Sequence, residues 1–231
     1  MNTVHLIDCM EFMVNIPDKY YELAIVDPPY GIGADVRSDF GQKRGKGAAC
    51  KSKDYGVHKW DSKPPDDKYF TELFRISQNQ IIWGCNYYRQ YFGSGRIFWD
   101  KGIPDGYTKS DGEIAYKSFG TAIDYVKIVW NGMIQQNMKH KEERIHPTQK
   151  PVALYKWLLQ NYAKPKDKIF DSHVGSGSSR IACYDLGFDF EGCELDADYH
   201  KAQENRYKAH ISQGNLFDTA EIQTLVYKEL T

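Results

Sequence analysis

The residues best suited to chemistry lie in "IVDPPYGIG", Ile25 to Gly33, where a short apolar run ends on Asp27 and continues into Pro28, Pro29 and Tyr30. Proline fixes φ and has no N–H to donate. The two prolines therefore hold the carbonyl between them at a set angle. A carboxylate at a strand end and a fixed carbonyl are two acceptors for the hydrogens of an exocyclic amino group. Such bonds draw the nitrogen lone pair out of ring conjugation and leave it able to attack a methyl group, while the Tyr30 ring offers a face for a stacked base. In-line transfer of this kind is accelerated mainly by positioning and preorganised acceptors, and needs no metal. A stiff strand-to-loop turn accounts for the prolines but not for the acid and the ring. Gly31 to Gly33 reads as a hinge into the segment that follows.

A second signal lies near the C-terminus, in "KIFDSHVGSGSSRIACYDLGFDFEGCELD", which runs strand, Gly-rich turn, helix, strand, acid. Gly175 and Gly177 can let a ligand approach the main chain at a helix N-terminus. Glu194, at the end of the next strand, is placed to accept hydrogen bonds from ribose hydroxyls. The third glycine of a dinucleotide fingerprint is absent, as is the lysine of a P-loop. A turn flanked by acids, Asp171 before it and Glu194 after it, suits a cofactor with a ribose, an ammonium and no phosphate, and S-adenosylmethionine fits.

The elements that must position these groups follow from pattern. Apolar runs of strand length occur at Val4–Ile7, Leu23–Val26, Gln80–Trp83, Arg96–Trp99, Tyr125–Trp130, Lys168–Phe170 and Phe188–Cys193. Helical spacing marks Pro151–Tyr162, Ser178–Leu186 and Ala197–Ala209. Strands alternating with helices imply an α/β domain with a mostly parallel sheet, and Trp83, Trp99 and Trp130 fall in the strands as core.

A chain of 231 residues with 41% hydrophobic and 26% charged content is expected to form one globular domain, 1–231. No apolar run approaches the ~18 residues of a membrane span, and the N-terminus lacks the basic start and long apolar stretch of a secretion signal. A cytoplasmic protein is expected. Its five cysteines are widely spaced without a C-x-x-C pair, which indicates reduced thiols and neither a disulfide frame nor a metal site. The net charge of −1 excludes binding to polyanions through the overall field. Its distribution is uneven: Val36 to Lys59 holds seven basic residues (Arg37, Lys43, Arg44, Lys46, Lys51, Lys53, Lys59) against Asp39 and Asp54. With four glycines and no apolar period, this reads as a long basic loop, 34–67 in all.

Taken together, these pieces resemble the DNA amino-methyltransferases, specifically the permuted (β) class of DNA adenine-N6 methyltransferases. "DPPYGIG" looks like the catalytic motif, "HPTQKP" (His146 to Pro151) like the segment that opens the cofactor half, and "DSHVGSGSS" like the S-adenosylmethionine loop. "GCELD" looks like the ribose-binding strand end, and "HLIDCMEFM" like the piece whose acid, here Asp8, meets the cofactor's adenine amino group. "IIWGCNYY" and "IFWDKG" are weaker echoes of the family's middle strands. The resemblance implies a Rossmann-like class I S-adenosylmethionine-dependent methyltransferase fold, a seven-stranded mostly parallel sheet with one antiparallel strand, completed by both termini. It implies Asp27, Pro28, Pro29 and Tyr30 as the catalytic set. The cofactor set it implies is Asp8, Cys9, Asp27, Lys150, Asp171, His173, Gly175, Ser176, Gly177, Ser178, Glu194 and Leu195, with Lys150 and Ser178 near the methionine end. One departure stands out: His173 and Ser172 occupy positions where the family usually has phenylalanine and proline. Imidazole is flat enough to replace the ring; a buried neutral histidine is the plainer role.

Reaching an amino nitrogen in duplex DNA requires taking the base out of the stack, so the expected partner is double-stranded DNA, with a second subunit as a further candidate. Arg37, Lys43, Arg44, Lys46, Lys51 and Lys53 are the candidate phosphate contacts. A small target-recognition region is expected at about 102–145, where Gln135, Gln136 and Asn137 could read base edges. The leading expectation is methyl transfer from S-adenosylmethionine to adenine N6 in DNA, as in restriction-modification systems. Cytosine-N4 methylation is the near competitor; family members acting on cytosine more often carry serine at the first motif position. Two more readings compete at a greater distance. One is methylation of RNA or a protein amide, for which related motifs usually begin with asparagine, and the other is a non-catalytic cofactor- or DNA-binding subunit of the same fold.

Overall fold

In a computed structural model, residues 1–34, 60–105, 110–131 and 134–229 are described, with side chains to Gln213. The elements are β1 (Asn2–Leu6), α1 (Cys9–Met13), β2 (Tyr21–Val26), α2 (Asp67–Ile76), β3 (Ser77–Trp83), β4 (Arg96–Asp100), β5 (Gly112–Lys117), β6 (Ile123–Lys127), β7 (Trp130–Asn131), β8 (Ile134–Gln135), α3 (Val152–Tyr162), β9 (Lys168–Asp171), α4 (Ser178–Leu186), β10 (Asp189–Glu194) and α5 (Ala197–Glu229). The main sheet has the order β1-β10-β9-β2-β3-β5-β4-β6, and β7 and β8 form a separate hairpin.

The α/β class and the single antiparallel strand agree with the sequence reading. The strand β5 runs antiparallel to both its neighbours, and every other pairing in the sheet is parallel. The count is corrected from seven strands to eight, because β6 adds an outer strand beside β4. Both termini do complete the sheet: β1 pairs with β10, from Asn2 opposite Phe190 to Leu6 opposite Glu194. The apolar run expected as one strand at Tyr125–Trp130 is divided between β6 and β7, and α5 continues well past Ala209.

Alternation within the central strands explains why they lie inside. Leu23 and Ile25 of β2, Ile81 and Trp83 of β3 and Ile169 of β9 enter one core, with Leu154 and Leu158 of α3 and Ala182 of α4. Ala24 and Val26, Ile82 and Phe170 point the other way, into a second core with Met13 of α1 and Tyr69, Phe70, Leu73 and Ile76 of α2. Both faces of these strands are covered, as a parallel sheet requires. Helix α2 begins at Asp66, whose carboxylate accepts from the Lys68 and Tyr69 amides; it occupies the end of the segment read as loop 34–67. Four strands, β5 to β8, lie within the 102–145 range, and β5 and β6 belong to the main sheet, so much of that range is scaffold. Among the described residues no helix is long and apolar enough to cross a membrane, and Cys9, Cys85, Cys183 and Cys193 are free thiols.

The carboxyl ends of the parallel strands share one edge, and β9 and β2 are neighbours there. From β9 the chain proceeds to β10 on one side, and from β2 to β3 on the other. A ligand site is expected at such a switch point. Phe170 anchors this centre: fully buried, its ring centroid lies 4.8 Å from Tyr21 and 6.0 Å from Phe12. Truncation to alanine in Phe170→Ala should lower unfolding free energy by about 3–5 kcal/mol, measured by denaturant titration; a loss under about 1 kcal/mol would contradict this packing.

Candidate active site

Asp27 follows the last residue of β2, at the edge where the sheet's strands end. Its Oδ1 accepts a hydrogen bond from the Tyr30 hydroxyl (2.6 Å), and its Oδ2 is in a direct ion pair with Lys150 Nζ. Lys150 Nζ also lies 2.9 Å from Glu113 Oε2 and donates to the Tyr30 hydroxyl at 3.2 Å. Lys101 forms an ion pair with the other oxygen of Glu113. Two carboxylates thus share one buried ammonium. Burial pushes Glu113 up, but Lys150 and Lys101 outweigh it and hold its carboxyl at about 2. Burial, together with the neighbouring Glu113, raises the pKa of Asp27 against the pull of Lys150. Lys150 itself is held above its ordinary value by the two acids against burial.

The Pro28 carbonyl accepts from the Tyr88 hydroxyl at 2.8 Å, which leaves it one further lone pair. The Tyr30 ring is stacked on Tyr87, centroids 4.8 Å apart and planes at 12°. Gly84, at φ +67°, allows the chain to pass its edge, since a Cβ there would lie 2.1 Å from Tyr30 Cε1. Gly31 to Gly33 form no loose hinge in this structure: Asp61 accepts from the Gly31 and Ala34 amides at 2.7 and 2.8 Å, pinning both ends of the turn.

Beside Asp27 lies a cavity of about 480 Å³. Of the residues expected to hold a cofactor, Asp8, Cys9, Asp27, Lys150, His173, Gly175, Ser176, Glu194 and Leu195 line it. Asp171, Gly177 and Ser178 do not. The Asp171 carboxylate closes the turn instead, accepting from Ser179 Oγ (2.6 Å) and the His173 amide (3.0 Å); burial raises its pKa to about 7. Gly177 caps α4 at φ +75°, and a Cβ there would press on Gln203 of α5 at 3.2 Å. Ser178 accepts from Arg206 of α5 at 2.9 Å, so it anchors that helix.

Glu194 accepts from the Gly175 amide (2.8 Å) and the Asp196 amide (2.9 Å), which fixes the acid against the glycine turn, and burial raises its pKa. Asp8 caps α1 by accepting from the Met10 amide at 2.7 Å. Burial pushes the Cys9 thiol up to about 12, so it stays protonated.

Sequence reading misses several lining residues: Ile7, Trp60, His146, Thr148, Gln149, Tyr155, Ser172, Val174, Asp196 and Tyr199. His146 to Gln149 lie inside "HPTQKP", where the signal is present. Trp60 and Tyr199 carry none; their rings lie 4.9 and 4.3 Å from that of His146. Glu113 is missed as well.

The groups expected to meet DNA divide differently. Arg37, Lys43, Arg44, Lys46, Lys51 and Lys53 lie outside the described residues. Gln135 is corrected: it is buried and both ends of its amide are bonded to the Glu142 backbone at 2.8 Å, so it cannot read a base. Gln136 and Asn137 are exposed, but their amide oxygens accept from Val129 and from Lys139 and His140, stabilising their own turns.

Residues 112–205 match the N6/N4 methyltransferase family model, described as DNA methylase. Type II methyltransferase M1.MboII of Moraxella bovis is 24% identical over 247 residues, spanning 86% of this chain and 94% of the relative. These likenesses are to DNA methylases of the N6/N4 type. Solved structures share the fold. The crystal structure of the M1.HpyAVI-SAM complex aligns with TM-score 0.52 at 18% identity, covering 89% of this chain and 100% of that one. The PvuII DNA methyltransferase, cytosine-N4-specific, aligns with TM-score 0.55 at 10% identity, covering 87% and 84%. Likeness at these identities concerns the fold.

His173 departs from the family's usual phenylalanine, and its environment explains how. Its ring is half-buried at the cavity wall, 5.6 Å from Tyr69, with Nδ1 2.8 Å from Ser172 Oγ, which in turn lies 2.7 Å from the Tyr69 hydroxyl. Burial pushes the imidazole down to about 4, leaving it neutral at pH 7. Since the unfolded histidine binds its proton first, stability from this group is complete above the unfolded pKa near 6.5 and is lost as pH falls toward 4. Asp171, raised by burial, titrates in an overlapping window with opposite sign. The difference between wild type and His173→Phe isolates the imidazole: wild type should lose up to about 3 kcal/mol relative to the variant between pH 6.5 and 4. Parallel urea-stability profiles would show that the ring titrates normally.

Proposed function

We propose that this chain is a DNA methylase of the N6/N4 family that transfers a methyl group from S-adenosylmethionine to the N6 amino group of adenine in double-stranded DNA. The observation that carries the reading is the cavity's charge. Among the described residues, Asp8, Asp27, Glu194 and Asp196 line it against one lysine, Lys150, which is already paired with Asp27 and Glu113. An acidic cleft of this kind would repel a phosphate and favour a ligand with cationic and hydroxyl groups. Gly175, at φ +53°, leaves its main chain open to close approach, with the Glu194 carboxylate fixed beside it. The residues present therefore fit S-adenosylmethionine. Asp8 would meet the adenine end, Glu194 the ribose, and the Lys150 side of the cavity the end nearest Asp27. Cys9, His173, Ser176 and Leu195 would complete the enclosure.

When bound, the cofactor supplies an electrophilic methyl on a sulfonium. The chain's own part is to orient the amine. The Asp27 carboxylate and the Pro28 carbonyl, at the end of β2, would each accept one amino hydrogen, turning the nitrogen lone pair toward the cavity. Pro29 fixes the Pro28 carbonyl, and Tyr30 holds the plane of the base. After transfer the amine must lose a proton. Asp27, with its pKa raised by burial, is the nearest base that can hold it. Adenine is preferred to cytosine because the motif begins with aspartate, where cytosine-N4 members of the family more often have serine. One methyltransferase domain over 1–231 is proposed, with the basic segment 34–67 and the exposed turn Asn137–Lys141 gripping phosphates. A cytoplasmic protein acting in restriction-modification accords with the type II relative.

Incubating the protein with S-adenosylmethionine and unmethylated genomic DNA, then digesting to nucleosides, should yield N6-methyladenine by mass spectrometry. Asp27→Ala should lower the yield on the order of 10²–10⁴-fold. N4-methylcytosine as the product would replace the adenine reading; neither product from wild type would sink the enzyme reading.

A further inference from the structure

We propose that Glu113 is a positioning residue for this reaction: it keeps the Lys150 ammonium and receives the Tyr30 hydroxyl when an incoming amino group takes over the Asp27 carboxylate. The role rests on the methylation reading above and goes beyond the motif residues, none of which lies on β5.

In the resting structure each oxygen of Asp27 already accepts one donor, and one of the two donors is charged. Tyr30 donates to Oδ1 and Lys150 to Oδ2. An arriving amine competes with these donors for the carboxylate's charge and for room around it. Lys150 is only 3% exposed, and a buried ammonium deprived of its carboxylate is strongly unfavourable. Glu113 removes that obstacle. Its Oε2 already lies 2.9 Å from Lys150 Nζ and 3.4 Å from the Tyr30 hydroxyl, so both donors reach a second acceptor with little movement. Lys101 holds the opposite oxygen, and its own ammonium lies 5.4 Å over the Trp99 ring.

Topology explains why the group comes from β5. As the one antiparallel strand of the sheet, β5 begins where its neighbours end, with Glu113 opposite Trp99. Gly112 lets it press close to β4, since a Cβ there would lie 2.4 Å from the Trp99 carbonyl oxygen. The Glu113 backbone is therefore fixed on the site side of the sheet by pairing alone.

The test compares wild type, Glu113→Gln, Glu113→Asp, Lys150→Met and the double variant Glu113→Gln/Lys150→Met. Steady-state incorporation of labelled methyl into unmethylated genomic DNA gives kcat and KM, and calorimetry gives S-adenosylmethionine affinity as a check on folding. Glu113→Gln should bind S-adenosylmethionine within about threefold of wild type but lose kcat on the order of 10²-fold with KM for DNA nearly unchanged. Glu113→Asp should recover at least part of that loss. In the Lys150→Met background, adding Glu113→Gln should cost no more than about threefold, because no ammonium remains to be held. The role is overturned if Glu113→Gln keeps wild-type kcat, if its loss is the same without Lys150, or if Glu113→Asp is as impaired as Glu113→Gln. Where Lys150→Met has no measurable turnover, Glu113→Asp decides. Absence of turnover in wild type overturns the methylation reading and this role with it; turnover in wild type with an unaffected Glu113→Gln overturns the role alone.

Discussion

One buried ammonium organises the edge of this sheet. Lys150 lies just before α3, is almost fully enclosed, and can remain charged there only because acids from two other elements meet it: Asp27 after β2 and Glu113 from β5. Removing one member of such a buried group leaves an uncompensated charge, at a cost of about 3–5 kcal/mol. Three segments distant in sequence are thereby fixed relative to one another. The Tyr30 ring and the Trp83 indole lie 5.7 and 5.4 Å from the same ammonium, so the aromatic walls of the site are tied to that charge as well.

The sheet order makes that meeting possible. A parallel strand presents its carboxyl end to the site, and an antiparallel strand presents its start. Inserting β5 between β3 and β4 brings a strand's first residues, and so Glu113, to the same edge as Asp27. On the far side of the switch point, β9 and β10 deliver the glycine turn and Glu194, while β1 leads to Asp8. The cavity is acidic because so many strands end there on acids. Among the described residues, the lysine of its wall, Lys150, is taken up by Asp27 and Glu113, so it offsets little of that charge.

The central strands are legible in the sequence because burial on both faces writes itself as short apolar runs. The strand β5 is not: "GEIAYK" begins with glycine and an acid and ends with lysine, and its strand character comes from neighbours on either side. Helix α2 is hidden by "PPDD", which reads as loop until the Asp66 cap is seen. In the site, contiguous motifs mark Asp27, Lys150, Glu194 and Asp8 because each lies at or beside the end of an element. Asp171 and Ser178 look like ligands in the sequence because turn closure and ligand binding use the same residue types; geometry alone separates them. Glu113, Trp60 and Tyr199 reach the site through topology and long-range packing, which no local pattern records.

The two acceptors of the proposed reaction are not equally ready. The Pro28 carbonyl accepts one bond from a neutral tyrosine, whereas the Asp27 carboxylate is shared between a hydroxyl and a charged ammonium, one on each oxygen. An amine entering this site can therefore bond first to the carbonyl, and competes with a donor when it reaches the carboxylate. Of the two donors, Tyr30 is the easier to displace: its hydroxyl is neutral, and hydrogen bonds with both partners charged are the stronger kind. Its departure would not strand it, since Lys150 keeps its pair with Glu113 and the hydroxyl has that same carboxylate within reach. Tyr30 must also exchange its stacking partner, Tyr87, if a base is to lie on that face. Release of the hydroxyl and of the ring then become one movement of one side chain. The stiffness of Pro28 and Pro29 confines that movement to the Tyr30 side chain, leaving the carbonyl in place while the carboxylate changes partners.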